Sequence, residues 1–465
     1  MSTPKSTRLE ISTIRPIPPG ERHGTSRDLF TVWFGTNFML LTIVTGGLAV
    51  TAFALPFTWA LAALTLGNLV GAVFMALHAA QGPTLGVPQM LQTRGQFGSL
   101  GSILVVAIVL AMYVGFLTSN LVVGGEALAS IAPGMPDAPG IAVVAIVSVI
   151  AAVFGYDLIH AYARVTTYIA VVVLIVTFAW IIGVHGLPPD FLTRNSPTVA
   201  GFLATVSTGA LWQIAYAPYV SDYSRYMPAD TGARSAFWAS FWGCSLGSLL
   251  PMVLGAVVGL ANPKGTSLVT GLAIVTHGIS PLVLVVLSIG VATANAMNLY
   301  CGALSTMTLG QTLFPRWSPG ASARTVISLV IFALSLAGAL LGKNSFLVNY
   351  ENFILLLLYV LVPWTAINLV DYYLLRHGHY DVASFYRHDG GIYGRINSVA
   401  VGCYVLGILV QLPFIETTLY KGPVARAIGG VDLSWIAGLA ITSPAYYWLS
   451  KRLTSATRAA YVRAE

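Results

Sequence analysis

The chain has 465 residues, of which 56% are hydrophobic and 8% charged, against about 25% charged in an ordinary soluble domain. So few charges cannot cover the surface of a water-soluble protein this long, and so apolar a sequence is the reverse of a disordered one. The net charge of +7 needs no nucleic-acid partner, because the placement of the basic residues explains it by membrane topology.

In chain order, residues 1–28 form a basic tail with Lys5, Arg8, Arg15, Arg22, Arg27 and several prolines. It lacks the short apolar core of a signal peptide. Ala52-Phe53-Ala54 imitates a cleavage site, but the long tail before it and the many spans after it predict that the segment is kept. Runs free of Asp, Glu, Lys and Arg then cover 29–93, 95–125, 138–156, 165–189, 195–221, 235–263, 265–315, 325–342, 352–370, 396–415 and 433–450. A helix crosses a bilayer with about 20 residues. The first run is long enough for two crossings with Leu55-Pro56 as the turn, so twelve transmembrane helices are expected, in a transporter domain over 29–452 followed by a tail over 453–465.

Basic residues accumulate in cytoplasmic loops. With the N-terminus inside, 18 of the 23 Lys and Arg residues fall on cytoplasmic segments. The other five, Arg194, Lys264, Lys343, Lys421 and Arg426, fall outside. The alternation fits twelve spans with both termini in the cytoplasm of a cell that keeps the protein in its inner membrane. The longest polar stretch, 371–395, reads as a solvated cytoplasmic loop, and its His377, His379 and His388 lack the further ligands a metal site needs. Cys244, Cys301 and Cys403 all lie inside apolar runs and form no disulfide framework.

Two spans are interrupted at similar depths. The first reads Phe34-Gly35-Thr36-Asn37-Phe38 and then Thr45-Gly46-Gly47. The sixth reads Trp212-Gln213-Ile214-Ala215-Tyr216-Ala217-Pro218-Tyr219, where Pro218 lacks the N–H a helix needs. Paired breaks in spans 1 and 6 suit an inverted repeat with substrate bound at the breaks. Gly and Pro are also common in membrane helices generally, so the pattern alone leaves both readings open.

Gly243-Cys244-Ser245-Leu246-Gly247 spells a nucleophile elbow, but that motif needs a strand-to-helix turn, and these residues sit within span 7. Close helix packing through glycines explains them, and Gly255 and Gly259 continue the series. The Gly338 to Lys343 stretch imitates a phosphate loop with one residue too few and Asn344 after it. No enzyme and no nucleotide-driven pump is therefore expected. Asp157, Asp222 and Asp371 fall at cytoplasmic span ends, where solvated or salt-bridged roles are expected, while Glu126 and Glu351 lie near outer ends.

Polar residues inside spans are costly unless paired or facing a cavity. Asn295 and Asn298 are three apart in span 8, and Phe116 and Asn120 four apart in span 3, each pair on one helical face. Amides offer donor and acceptor together and aromatics offer flat faces, a combination suited to a neutral, planar, hydrogen-bonding solute. Interhelical hydrogen bonding is the other use such residues have.

Four segments then resemble the nucleobase:cation symporter-1 family, in its purine/cytosine permease branch. They are Gly86-Val87-Pro88-Gln89-Met90 with Arg94, Phe154-Gly155-Tyr156 with His160, Tyr162 and Arg164, Ser221-Asp222-Tyr223, and the 349–373 stretch with Tyr350, Asn352-Phe353, Pro363 and Asp371-Tyr372. The resemblance runs over essentially the whole chain. It implies the leucine-transporter fold: two inverted repeats of five helices, about 29–189 and 195–373, plus two C-terminal helices at about 394–452. It also implies a substrate site between spans 1, 3, 6 and 8, in which two aromatics sandwich a base. The span 3 aromatic maps to Phe116, where many members carry Trp, and the amide one turn later to Asn120. Span 6 leaves Trp212, Gln213 and Tyr216 open, span 8 gives Asn295 and Asn298 ahead of Tyr300, and span 1 contributes backbone from Gly35 to Met39.

For the coupling ion the resemblance implies Gly35 and Phe38 carbonyls with two adjacent span 8 hydroxyls, where this chain has Thr293 followed by Ala294. Losing one oxygen weakens a hard-cation site, so coupling by protons is favoured over sodium. No other cofactor or metal is implied. The expected activity is uptake of cytosine or a purine by symport, with a hydantoin, allantoin, uracil or vitamin-like heterocycle as the alternative substrate. A channel is disfavoured by the lack of a charge ring or repeated filter sequence.

Overall fold

The computed structural model describes residues 14–132, 134–153 and 156–462, without the side chains of 137, 150–153, 156–166, 231 and 453–462. Phe154 and Gly155 of the expected motif, and the side chains of Tyr156, Asp157, His160, Tyr162 and Arg164, therefore lie outside the described residues. Helices make up the described chain, and its one β-feature is a single bridge between Glu416 and Lys421.

The chain enters α1 (Ser26–Asn37) through Thr25, whose hydroxyl accepts the Asp28 amide and so caps the helix. A break at Phe38 and Met39 bends the path by 61° into α2 (Leu40–Thr51). After the 52–56 turn come α3 (Phe57–Ala79), the short α4 (Gln81–Leu85) and α5 (Gln89–Phe97). Next are α6 (Ser102–Ile131), α7 (Asp137–Val153) and α8 (Tyr156–Trp180), the last extended by a π-turn to His185.

The second half opens with α9 (Val199–Ile214), capped by Thr198. A run of turns over 215–219 leads to α10 (Val220–Ser224), α11 (Ala229–Ala261), α12 (Leu268–Val275) and α13 (Ser280–Leu313). Then follow α14 (Ala321–Gly342), α15 (Phe346–Leu369), α16 (Ser398–Leu409), α17 (Pro423–Ala427) and α18 (Ser434–Val462).

Six stretches are long and apolar enough to cross a membrane: Phe57–Leu85, Ser102–Ile131, Thr167–His185, Gly232–Ala261, Ser280–Leu313 and Ala321–Leu375. The bent α1–α2 pair is a seventh, and Ala138–Val149, Val199–Ile214 and Ser398–Phe414 are shorter apolar helices. Outward faces are apolar as a bilayer requires: Val172, Ile175 and Ile182 are each at least 60% exposed. This is a multi-pass membrane protein.

The interior is arranged around α11, which packs on α1, α2 and α3, and around α13, which packs on α6 and α7. Glycines set the first of these contacts. A Cβ at Gly247 would come 2.7 Å from Phe34 Cα, and one at Gly255 would collide with the Ile43 carbonyl. The Gly243–Gly247 motif is thus a backbone contact with α1, inside a helix.

The 371–395 segment differs from the solvated loop expected. His377, His379 and His388 are exposed, but Tyr372, Phe385 and Tyr393 pack with Leu85, Val87 and Leu91 in a small core of their own. The segment's aromatic residues outweigh its charges. Asp371 is salt-bridged and also buried: it accepts from Arg376 Nε at 2.9 Å, from the Tyr446 hydroxyl at 2.9 Å and from Tyr380, tying α18 to the end of α15.

Candidate functional site

The two helix breaks face one another. In the first, Phe38 and Met39 leave helical geometry, with φ −82°, ψ 78° and φ −147°, ψ 165°. The Phe38 amide turns back to the Gly35 carbonyl at 3.2 Å, the Met39 amide to the Asn37 carbonyl at 3.0 Å, and the Thr42 hydroxyl to that same carbonyl at 2.5 Å. In the second, tight i→i−3 bonds from Tyr216, Ala217 and Tyr219 replace the α-helical ladder ahead of Pro218. Helix ends left free at such breaks present backbone N–H and C=O groups, with their partial charges, to whatever lies between them.

Between the breaks lies a cavity lined by Thr36, Met39, Phe116, Asn120, Trp212, Ala215, Tyr216, Tyr219, Ala294 and Asn298, with about 20 Å³ of free space. That is room for about one water molecule. Aromatic rings fill the rest. Phe116 meets Trp212 edge to face, centroids 6.1 Å apart and planes at 86°, and meets Phe353 at 5.3 Å and 77°.

Asn120 is fully buried, and neither its Oδ1 nor its Nδ2 has a hydrogen-bond partner. Among the described residues it is the only amide with both side-chain polar atoms sealed from solvent and unpaired. Unpaired buried polar groups are rare and costly. An amide that faces a cavity beside aromatic rings can pair with a ligand.

The expected site residues divide. Phe116, Asn120, Trp212, Tyr216, Asn298 and Met39 come together at the cavity. Gln213 points elsewhere, donating to Asn68 Oδ1 at 2.8 Å and to the Ser248 hydroxyl at 2.7 Å, and so joins α9 to α3 and α11. Asn295 also turns away and donates to the Ser148 hydroxyl of α7 at 3.0 Å. Of the expected ion ligands, the Gly35 carbonyl already accepts the Phe38 amide, and the Thr293 hydroxyl donates to the Ile289 carbonyl at 3.0 Å. The Phe38 carbonyl lies against Gly290, one turn before Thr293, where a Cβ would collide with it.

One organising residue was missed at the level of sequence. Asn37 Oδ1 accepts both Trp212 Nε1 at 2.7 Å and the Tyr216 hydroxyl at 2.8 Å, and its own Nδ2 donates to the Trp33 carbonyl. It holds the two span 6 aromatics from span 1. The signal was available, since an amide inside an apolar span is what singled out Asn295 and Asn298. Thr36, Tyr219 and Phe353 complete the surroundings.

The two ends of the bundle differ. At the Lys264 end, a hollow of about 480 Å³ opens among Val44, Glu126, Arg194, Asn262, Lys264 and Phe346. Glu126 there accepts from Ser267 and, at 3.2 Å, from the Thr270 hydroxyl, linking α6 to α12. The opposite end is closed. Arg94 donates to the Phe385 carbonyl at 2.6 Å, the Thr308 carbonyl at 2.7 Å and the Thr312 hydroxyl at 2.6 Å. Asp222 accepts the Gln89 amide at 2.8 Å, and Gln81 donates to Asn368 at 2.8 Å. Gly86, at φ +69°, takes a conformation that suits glycine and leaves room for Arg22, whose guanidinium donates to the Ile17 and Pro83 carbonyls.

A membrane bundle with two broken helices around an aromatic and amide cavity, open on one side and closed on the other, is a small-molecule transporter. Residues 16–438 match the family described as permeases for cytosine/purines, uracil, thiamine and allantoin, and the chain belongs to that family. It is 40% identical over 448 residues to YxlA of Bacillus subtilis (strain 168), assigned by name as a purine-cytosine permease, covering 96% of each chain. It is 25% identical to the purine-cytosine permease FcyB of Emericella nidulans, over 95% of this chain and 88% of that one. Its fold is that of Mhp1, a nucleobase-cation-symport-1 family transporter in a closed conformation with bromovinylhydantoin bound. The TM-score is 0.74 at 17% identity, covering 96% of this chain and 97% of the other. The chain is a permease, not an enzyme.

Proposed function

We propose that this permease imports a nucleobase, cytosine or a purine such as adenine, guanine or hypoxanthine, by cation symport with alternating access. The observation that carries this reading is the unpaired amide of Asn120 beside the Phe116 ring. A base edge sets a donor and an acceptor side by side, as an amide does, and its two faces suit Phe116 on one side and Trp212 or Tyr216 on the other. Two stacking gaps of about 3.5–4 Å require parallel rings about 7–8 Å apart. Phe116 and Trp212 are edge to face at 6.1 Å, so substrate entry turns one ring and widens the cavity. A single ring demands the smaller change, which favours cytosine.

The reading includes twelve spans in two inverted repeats plus two C-terminal helices, in the cell membrane, with both termini and the Arg94 end in the cytoplasm. Base and cation enter from the outer hollow, one repeat rocks against the other, and both leave through the inner end once its hydrogen bonds release. Protons drive the cycle. Thr293 offers one hydroxyl where a sodium site wants two, and Ala294 supplies only a methyl to the cavity.

Uptake by purified protein in proteoliposomes tests both parts. Labelled cytosine or adenine should accumulate under an inward-acid gradient in sodium-free buffer and stop when the gradient collapses. Ala294→Thr should introduce sodium stimulation. Accumulation of a hydantoin or allantoin with no base transported would refute the substrate, and sodium dependence of the parent would refute the proton. A base at about 100 times its dissociation constant should also stabilise the protein by about 2.7 kcal/mol.

A further inference from the structure

Beside the α1–α11 contact, on the outer surface of the bundle, lies an open groove of about 680 Å³ that the transport cycle does not use. One wall is a single face of α11: Arg234, Trp238, Trp242 and Leu246 follow at four-residue spacing, so they stand one above another. The other wall is the start of α1, with Arg27 and Phe30. Trp238 is 46% and Trp242 45% exposed, so both present their rings to the groove and the surrounding bilayer, as Trp59 and Trp448 do elsewhere on the bundle.

The groove is graded along its length. Its basic end, at the first turns of α1 and α11, holds both arginines; Asp28 and Asp230 share those turns but do not line the groove. The nearby Asp28 carboxylate accepts from the Thr25 hydroxyl at 2.6 Å and also attracts Arg27 by its charge. Arg27 is held in place by a 2.7 Å bond from Nη2 to the Tyr168 hydroxyl of α8, which leaves its other donors to the groove. Beyond the arginines the walls become aromatic and then aliphatic toward the membrane interior. Two guanidinium groups over an apolar slot match an anionic headgroup with an attached hydrocarbon chain. Tryptophan at this depth suits the headgroup boundary.

We propose that this groove is a binding site for an anionic glycerophospholipid, its phosphate between Arg27 and Arg234 and an acyl chain along Phe30, Trp238, Trp242 and Leu246. The lipid bridges α1 and α11 where Gly243 and Gly247 bring their backbones together. It therefore braces the helix whose far end supplies Thr36 to the cavity. Charge complementarity selects the occupant: a zwitterionic lipid brings its own cation to two arginines and gains less from them.

The test uses full-length protein in phosphatidylcholine vesicles in which phosphatidylglycerol with brominated chains replaces a rising fraction of the lipid. Bromine quenches tryptophan on contact, so the parent should show a saturable quenched component at low phosphatidylglycerol content. Trp238→Phe with Trp242→Phe should remove that component, which assigns it to the groove among the 10 tryptophans. An arginine near a membrane surface is worth about five-fold in anionic-lipid association. Arg234→Gln should therefore weaken the preference over phosphatidylcholine about five-fold, and Arg27→Gln with Arg234→Gln by roughly thirty-fold. Both arginines are exposed, and unchanged melting temperatures in detergent would show that the variants fold. Equal quenching by brominated phosphatidylcholine overturns the proposal and leaves an ordinary annular lipid. Displacement of the component by millimolar inorganic phosphate also overturns it, since the groove would then be a free-anion site. The vesicles are symmetric and no base is present, so neither result depends on the transport reading.

Discussion

At the closed end of the bundle, Arg94 is 3% exposed and its guanidinium reaches two carbonyls and a hydroxyl on two separate segments. At the middle of the bundle, Asn120 is equally buried and reaches nothing. The two regions are built from the same kinds of residue in the same low-dielectric surroundings, so the difference lies in who supplies the partner. At the Arg94 end the protein does, for every Arg94 nitrogen but Nε, and the result is a closed end. At the cavity the protein leaves the amide unpaired, which favours any ligand able to pair with it.

The largest expected effect breaks the Arg94 side of that contrast. Arg94→Ala leaves the Phe385 carbonyl buried without a donor, at about 1–3 kcal/mol. It also removes two further bonds, to the Thr308 carbonyl, which keeps the Thr312 hydroxyl, and to that hydroxyl, at about 0.5–1.5 kcal/mol each. The closed end should lose about 2–6 kcal/mol in all. Cys301, fully buried in the parent, should then react with maleimide, as peptide mass mapping would show. Arg94→Lys should restore only part of the protection, because an ammonium cannot span the same acceptors in a fork. Unchanged protection of Cys301 in Arg94→Ala would mean that the Arg94 end is closed by packing alone.

The next effect lies at the cavity. Stacking of a base on an aromatic is worth about 1–3 kcal/mol by alanine substitution, so Phe116→Ala should weaken base affinity by roughly 5- to 150-fold. Phe116→Trp keeps a flat face and should bind better than the alanine variant. If Phe116→Ala melts earlier yet binds as tightly as the parent, the ring serves packing against Phe353 and not the substrate.

Much of this was legible in the sequence, and the parts that were not share a cause. Pro218 and the Gly35–Phe38 stretch marked both breaks because they change backbone chemistry, which sequence reports directly. Phe116 and Asn120 were paired by four-residue spacing, about 40° apart around a helix, and both line the cavity. Asn295 and Asn298, three apart, are about 60° apart, enough for one to face the cavity and the other Ser148. Gln213 neighbours Trp212 at about 100° and falls between helices. Periodicity places a residue on a face, but which of two adjacent faces meets the cavity depends on crossing angles that only the packed bundle fixes. The buried part of 371–395 was hidden because its aromatics find partners on α4 and α5, far away in the chain.

A comparison of Asn120 with the two amides of α13, Asn295 and Asn298, sharpens the contrast within the cavity. Asn120→Ala removes a group with no protein partner, so stability should hold or rise, while base affinity falls by about 1–2 kcal/mol, or 5- to 30-fold. Asn295→Ala should do the reverse, costing about 0.5–1.5 kcal/mol of stability through the lost Ser148 bond and leaving affinity near the parent's. Asn298→Ala, at the cavity lining, should behave like Asn120→Ala. Binding and melting measured on the same preparations separate the patterns. A large affinity loss in Asn295→Ala would show that the amide rotates into the cavity when substrate arrives.

The smallest expected effect concerns how the cavity's aromatics are held. Asn37 Oδ1 accepts from both Trp212 Nε1 and the Tyr216 hydroxyl. Tyr216→Phe removes one donor while the other continues to satisfy the oxygen, so no acceptor is left stranded. The change should cost about 0.5–1 kcal/mol of stability and shift affinity by less than about five-fold. Trp212→Phe removes the other donor and also narrows the stacking face, so it should cost affinity beyond that limit. Asn37→Ala strands both donors at once and should exceed the sum of the two, because coupled groups sharing one partner are not additive. A double-mutant cycle across Tyr216 and Asn37, read by thermal stability and base affinity in parallel, checks this. If the cycle shows no coupling in either readout, Asn37 does not hold the rings, and their edge-to-face arrangement comes from packing with Trp33 and Tyr219 alone.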